Sequence, residues 1–282
     1  MQIKNKLKYF YWSIERTCTE LYVRLFLKQG VTRISELAMP LTVCLTSYPP
    51  RFPKLHLTLR CLLTQDLTPQ NVVLWIAHED KYKLPSSVTN LQNEFSYFSI
   101  EFCEDLGSYK KLVPALAPNK YNNDIIVTAD DDCFYPKTWL SNLVDNWSGK
   151  NDEIIAYRTH AITFNSDNMP TPYSQWRLCV ESPKESDELF ATGCGGILYP
   201  PNSLDANTTN SEVFLALCNN ADDIWFYWMA KLNNSKICKV PIRLNMINWS
   251  GTDEVGLASS NVDGGQNDDK LKNLIKEYGW PN

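Results

Sequence analysis

The chain reads as an α/β protein: a mixed, mainly parallel sheet flanked by helices, preceded by an amphipathic N-terminal helix. Short apolar runs at 41–46 (LTVCLT), 72–77 (VVLWIA) and 124–129 (DIIVTA) alternate with helical stretches, the pattern of strand–helix–strand crossovers. The 11 Gly and 16 Pro are dispersed with no linker-like cluster, which favours one large unit. With 44% hydrophobic and 21% charged residues, the 282-residue chain can bury a sizeable core, and disorder, collagen and coiled coil are excluded.

Within residues 7–28, Leu7, Phe10, Ile14, Cys18, Leu21 and Leu25 recur at steps of three and four and form one face of a helix. Residues 1–40 hold seven Lys or Arg against three Glu, a local charge of +4 that leaves −9 for the rest of a chain of net charge −5. A basic amphipathic helix rests on an anionic membrane surface or packs on its own domain or a partner subunit, and both readings stay open. No run reaches the ~18 apolar residues of a membrane span, and the start lacks an apolar signal core with a cleavage site. The expected location is cytoplasmic, with residues 1–40 a candidate peripheral contact at the inner face of the cell membrane. Nine cysteines without a CxxC pair point to buried, reduced thiols rather than a disulfide framework or zinc ribbon. The acidic balance excludes nucleic acid as a partner, because phosphate binding rests on a basic surface.

After Pro40 come a buried strand at 41–46, a proline-stiffened loop at 47–53 (SYPPRFP), a helix at 55–65 and a strand at 72–77. A weaker strand at 98–103, a short helix at 109–116 and a fourth strand at 124–129 follow, the last ending directly on three aspartates. In a parallel sheet ligands bind beyond the carboxyl ends of the strands. Further on, the pattern gives a strand at 154–157, a loop at 165–172, an apolar run at 189–201 (LFATGCGGILYPP), a helix at 222–232 and a strand at 236–242. Residues 250–269 read as a polar, mobile loop, and 268–278 as a closing helix. The expected organisation is a basic helical segment over 1–40, the α/β domain over 41–249, and the loop and C-terminal helix over 250–282.

Three adjacent carboxylates, Asp130, Asp131 and Asp132, repel one another at a strand end, and a hard divalent cation with oxygen ligands relieves the repulsion. In extended geometry Asp130 and Asp132 share a side. A cation held by so few protein ligands completes its shell with water and substrate phosphate, which points to a diphosphate; the plainer alternative is a solvated acidic turn capping the helix that begins near Pro136. Asp222 and Asp223 open an aromatic-rich helix. One of them can be a cap, but a pair exceeds that need, and a carboxylate in an apolar surround can serve as general base on a sugar hydroxyl. Trp225 and Trp228, three apart, offer an aromatic platform for an acceptor or belong to the core. Gly193, Gly195 and Gly196 around Cys194 mark a bulge or a close approach of backbone to ligand. Lys110 and Lys111 are candidates to neutralise phosphate, or surface residues. The three histidines lack metal-ligand spacing, and no Gly-x-Ser-x-Gly elbow is present.

In order, LTSYPPRF at Leu45, SYKKLVPAL at Ser108, TADDDCFYP at Thr128, GCGGILYPP at Gly193 and ADDIW at Ala221 resemble the GT-A glycosyltransferases, particularly the bacterial family-2-like enzymes that build lipopolysaccharide or capsule. The resemblance covers roughly residues 41–242 and implies a Rossmann-like GT-A fold. It implies Asp132 and Asp130 as the DxD pair on Mn or Mg, and Asp130 and Asp131 on the nucleotide side. Asp223 matches the catalytic base, with Asp222 beside it. Thr46, Tyr48 and Arg51 match the nucleotide-binding first loop, Lys110 reaches base or phosphate, and Gly195 and Gly196 lie on the donor side. The implied chemistry is an inverting single displacement from a nucleotide sugar, uridine-based, to a saccharide or lipid-linked saccharide acceptor. Many GT-A enzymes supply a later histidine to the metal. No His follows His160 here, so water or a residue within 245–249 takes that place, or the DxD pair acts alone. A sugar nucleotidyltransferase would carry a Gly-rich basic loop after its first strand, which SYPPRF is not. A non-catalytic carbohydrate-binding relative would have lost the paired acids, and an aspartyl-nucleophile phosphatase would carry them after the first strand rather than the fourth.

Overall fold

The computed structural model describes residues 2–28, 32–182, 188–252 and 266–281, with side chains from Tyr11 onward. Seven strands form the central sheet: β1 (Leu41–Thr46), β2 (Asn71–Ala77), β3 (Phe98–Cys103), β4 (Ile125–Ala129), β5 (Glu153–Ala156), β6 (Ile197–Tyr199) and β7 (Lys236–Lys239). Their order is β7-β5-β6-β4-β1-β2-β3, and within it only β6 runs antiparallel to its neighbours. The longer helices are α1 (Gln2–Leu25), α2 (Phe52–Leu62), α3 (Trp139–Asp145), α4 (Ser211–Cys218), α5 (Asp222–Leu232) and α6 (Gln266–Tyr278). This is the mixed, mainly parallel α/β architecture that the alternation of runs predicts.

The middle strands are apolar on both faces because both are covered. On one face Val43, Leu45 and Val127 pack with Leu55, Leu59 and Leu62 of α2 and with Trp139 and Leu143 of α3. On the other, Cys44, Val73, Ile126, Ala156 and Ile197 pack with Tyr109, with Trp225 and Trp228 of α5, and with Leu274 of α6. Pro53 sits in the first turn of α2, where its missing N–H is not needed.

Three expectations change in detail. The helix expected over 109–116 is two short 3-10 turns, Gly107–Lys111 and Val113–Leu116, because Pro114 has no N–H with which to continue a single helix. The run 189–201 breaks into two strands. Leu189–Ala191 pairs antiparallel with Thr159–Ala161, and β6 joins the main sheet. Between them the chain turns through Gly195 and Gly196 at φ +94° and +96°. Strand β7 stops at Lys239, ahead of Pro241. Of the expected loop 250–269, residues 253–265 lie outside the described residues.

Helix α1 does not dock through the predicted apolar face. Ile14, Cys18, Leu21 and Leu25 are exposed, while Arg16, Glu20 and Val23, on the opposite side, are buried; the side chains of Leu7 and Phe10 lie outside the described residues. The rotation is set by polar anchors. Glu20 receives Lys54 Nζ at 2.5 Å and the backbone N–H and Oγ of Ser250 at 2.9 and 2.7 Å, and these contacts hold its carboxyl below the usual range against the cost of burial. Among the described residues no helix is long and apolar enough to cross a membrane.

Candidate active site

Strand β4 ends at Ala129, and the three aspartates that follow take three different environments. Asp131 turns inward: Ser47 Oγ donates to it at 2.5 Å and Arg51 Nη1 at 2.7 Å. Its backbone carbonyl, with that of Cys133, accepts from Thr58 Oγ1, to which Trp249 Nε1 donates at 2.7 Å. The expected donor-side role of Asp131 is therefore corrected: at 6% exposure it anchors the loop from within. Asp130 and Asp132 keep side-chain exposures of 27% and 15%. Arg51 also reaches Asp132 Oδ2, at 2.8 Å. Burial, then Asp130 and Asp131, push the Asp132 carboxyl up to about 7 despite that arginine. The negative charge left over at Asp130 and Asp132 is what a hard cation relieves, so this donor set fits Mn or Mg with two protein carboxylates and the remaining ligands from phosphate and water. Among the described residues no group of three or more His, Cys, Asp or Glu is placed to hold a metal unaided.

Of the first-loop residues, Arg51 is bound to the acids, with its guanidinium 5.9 Å from the Tyr48 ring centre. Thr46 is engaged by the Trp75 carbonyl, to which its hydroxyl donates at 2.8 Å. The contacts of both side chains are thus internal, and those of Arg51 brace the aspartates. The segment expected to supply a third ligand braces them too. Trp249 N–H donates to the Asp132 carbonyl at 2.8 Å and Phe134 N–H to the Ile247 carbonyl at 2.9 Å, while the Trp249 side chain is fully buried.

The second acid pair opens α5 without capping it, since neither Asp side chain accepts a cap hydrogen bond and Ala221 occupies the N-cap. Lys111 Nζ lies 2.9 Å from Asp222 Oδ2 and 3.4 Å from Asp130 Oδ1, so one buried ammonium joins the two acid clusters. Gly193 N–H donates to Asp223 Oδ1 at 2.9 Å. A Cβ at Gly193 would stand 2.6 Å from Lys111 Nζ and 2.9 Å from Asp223 Oδ1, so only glycine fits there unshifted. Burial, then Asp222, raise the Asp223 carboxyl to about 7, with Asp130 adding to the rise and Lys111 and Gly193 opposing it.

Several sequence assignments move by one or two residues. Lys110 pairs with Asp105 and does not reach the acids; Lys111 is the lysine of the site. In a 3-10 turn successive side chains point about 120° apart, so the two lysines, both buried, meet different carboxylates. Gly195 and Gly196 contact Trp139 of α3. The Gly195 carbonyl accepts from Trp139 Nε1 at 2.7 Å, and a Cβ at Gly196 would lie 2.6 Å from the Trp139 ring. Gly193 is the glycine at the acids. The aromatic platform is absent: Trp225 and Trp228 are fully buried, Trp225 donating to the Thr208 carbonyl and Trp228 meeting Trp280 edge-on at 5.3 Å. A groove of about 270 Å³ between the segments 134–142 and 242–247 contains none of the acids.

Fold and site together define an α/β protein with two acid clusters converging at the carboxyl edge of its sheet. No protein-family profile and no curated protein matches the chain. Solved structures of similar outline include GalNAc-T7 with UDP, GalNAc and Mn2+, at 12% identity over 73% of this chain and 43% of that one, TM-score 0.47. They also include the mannosyltransferase PcManGT from Pyrobaculum calidifontis with GDP-Man and Mn2+, at 15% identity over 82% of this chain and 65% of that one, TM-score 0.44. A third is 4-diphosphocytidyl-2C-methyl-D-erythritol synthase, at 11% identity over 81% and 97%, TM-score 0.41. These are distant likenesses, and the chain spans less than half of the first protein and under two thirds of the mannosyltransferase.

Proposed function

We propose that the chain is a divalent-cation-dependent glycosyltransferase that moves a sugar from a nucleotide sugar, uridine-based, to a hydroxyl of a saccharide or lipid-linked saccharide, in the synthesis of surface polysaccharide such as lipopolysaccharide or capsule. The observation that carries this reading is the convergence, through Lys111, of a solvent-reachable acid pair at a strand end with a half-buried carboxylate whose pKa stands near neutrality. Asp130 and Asp132 would hold Mn or Mg, which when bound takes up charge on the departing nucleoside diphosphate. Gly193 fixes Oδ1 of Asp223, leaving Oδ2 to accept the proton of the attacking hydroxyl. Lys111 and Asp222 hold that carboxylate beside the donor. Attack on the anomeric carbon from the side opposite the leaving group is a single displacement and inverts configuration. The exposed stripe of α1 (Ile14, Leu21, Leu25, with Tyr11, Tyr22 and Phe26), flanked by Arg24 and Lys28, supports contact with an anionic membrane surface.

A panel of nucleotide sugars with Mn2+, scored for free nucleoside diphosphate, tests the reaction. Release of diphosphate with at least one donor and an acceptor is the expected result. Pyrophosphate release from a nucleoside triphosphate and a sugar 1-phosphate, with no diphosphate from any donor, would instead establish a nucleotidyltransferase.

A further inference from the structure

Arg158 is a cation at this edge that the reaction outlined above does not use. The cations nearest the acids, Arg51, Lys110 and Lys111, each have a carboxylate partner. Arg158 is half-buried, has no carboxylate ion pair among the described residues, and its buried Nε has no hydrogen-bond partner. What lies against its guanidinium are the sulfur atoms of Cys194 and Cys179. Cys194 is not a thiolate counter-ion, because burial and the nearby Asp130 push its pKa up to about 11. A desolvated guanidinium without an anion is costly, and its planar fork of donors matches a carboxylate or phosphate.

The sheet register says where this fork stands. Ile197 of β6 pairs with Thr128 on one side and Ala156 on the other. Asp130 and Arg158, each two residues further on, therefore reach the same level of the carboxyl edge. Tyr157 N–H still pairs with the Gly196 carbonyl there, at 3.3 Å. Two strand spacings separate them, about 10 Å, with Cys194 and Gly195 between. Arg158 lies in the bend that follows β5, past Ala156, which with Ile197 faces α5, the helix that Asp223 opens. Tyr173, buried on that face, feels the charges of both Asp223 and Arg158. A sugar held at Asp130 would have Arg158 on its far side.

We propose that Arg158 is the subsite for an acidic group, a uronic-acid carboxylate or a phosphate, on the acceptor saccharide, and that it seats that sugar against Asp223. The proposal rests on the transferase reading, whose own test is kept apart from it by titrating UDP with Mn2+ separately.

The full chain, saturated with UDP and Mn2+ and also without them, is titrated with methyl β-glucuronide and methyl β-glucoside, following tryptophan fluorescence. The wild-type protein is expected to favour the glucuronide by about tenfold or more, with inorganic phosphate competing. Arg158→Gln removes the preference, Arg158→Lys keeps part of it, and the Arg158→Gln melting temperature does not fall, since a buried charge without a partner is lost. Equal binding of the two glycosides by the wild type, binding of neither, or a glucuronide preference that survives Arg158→Gln overturns the proposal. So does a preference for UDP-glucuronate over UDP-glucose that depends on Arg158, which would assign the arginine to the donor. Loss of fold in Arg158→Gln marks a structural arginine and also overturns it. Absence of UDP binding refutes the transferase reading and leaves the glycoside comparison intact.

Discussion

Asp223 carries two opposed demands, burial and Asp222 penalising its charge while Lys111 and Gly193 support it, and the balance places its pKa near 7. As a base on the acceptor it does not touch the nucleotide, so Asp223→Asn is expected to leave UDP affinity unchanged and to lower turnover by roughly 10² to 10⁴. Wild-type turnover should fall as pH drops through about 7, where the carboxylate is protonated. Stability runs the other way. A carboxyl whose folded pKa lies above its unfolded value binds more protons when folded, so folding loses stability as pH rises between the two values. Melting temperatures of Asp223→Asn and wild type should therefore agree near pH 4, part as pH rises to about 7 and stay apart above it, with the variant higher; identical curves at pH 8 would contradict the burial argument. The glycines separate site from scaffold in the same way. Gly193→Ala meets the movable end of Lys111 and the Asp223 carboxylate, and is expected to fold while losing on the order of 10² in turnover through misplacement of the base. Gly196→Ala, at φ +96° and 3.0 Å from the Thr128 carbonyl, should lose ~1 to 3 kcal/mol of stability, seen in denaturant melts.

Helix α1 shows how far periodicity reaches and where it stops. The repeat of Ile14, Cys18, Leu21 and Leu25 correctly locates a helix and an apolar face. Which side meets the protein is decided by Glu20 with Lys54 and Ser250, partners 34 and 230 residues away along the chain, and no local pattern contains that. The consequence is an apolar stripe facing solvent with basic residues beside it. Vesicles containing anionic lipid should bind the protein and release it as salt rises, and Leu21→Glu with Leu25→Glu should abolish cosedimentation without changing the melting temperature, since both side chains are already exposed. Binding that survives the double substitution would exclude the stripe as the contact. Helix α5 is the opposite case: its range is legible from sequence, and so is the alternative that its tryptophans are core.

Across the whole molecule, the parallel strands β1, β2 and β4 were readable because each is an apolar run closed by turn residues, with β3 a weaker signal, whereas the insertion of antiparallel β6 between β4 and β5 was not, since strand order depends on pairings between distant segments. That insertion builds the site: it carries Gly193 to Asp223 and sets β5, with Arg158, at the level of Asp130. The acid motifs were visible as neighbours in sequence, but their division of labour was not, because Ser47, Arg51 and Thr58, which turn Asp131 inward, precede it by 73 to 84 residues. This division gives a test that separates folding from binding. Asp131→Ala strips Arg51 of one of its two carboxylates and leaves Ser47 unpaired in a buried setting, so a loss of roughly 1 to 3 kcal/mol is expected, the cost of a buried hydrogen-bonding group left without its partner. Asp132→Ala leaves Arg51 its bond to Asp131 and relieves carboxylate crowding, so the protein should stay folded. Ligand then distinguishes them. UDP with Mn2+ at about 100 times its Kd should stabilise the wild type by ~2.7 kcal/mol. That increment should vanish on adding a chelator and be absent in Asp132→Ala at every Mn2+ concentration. A folded Asp132→Ala protein that still gains the full increment would remove Asp132 from the cation site, and a fully stable Asp131→Ala protein would show that the inward aspartate does not hold the loop.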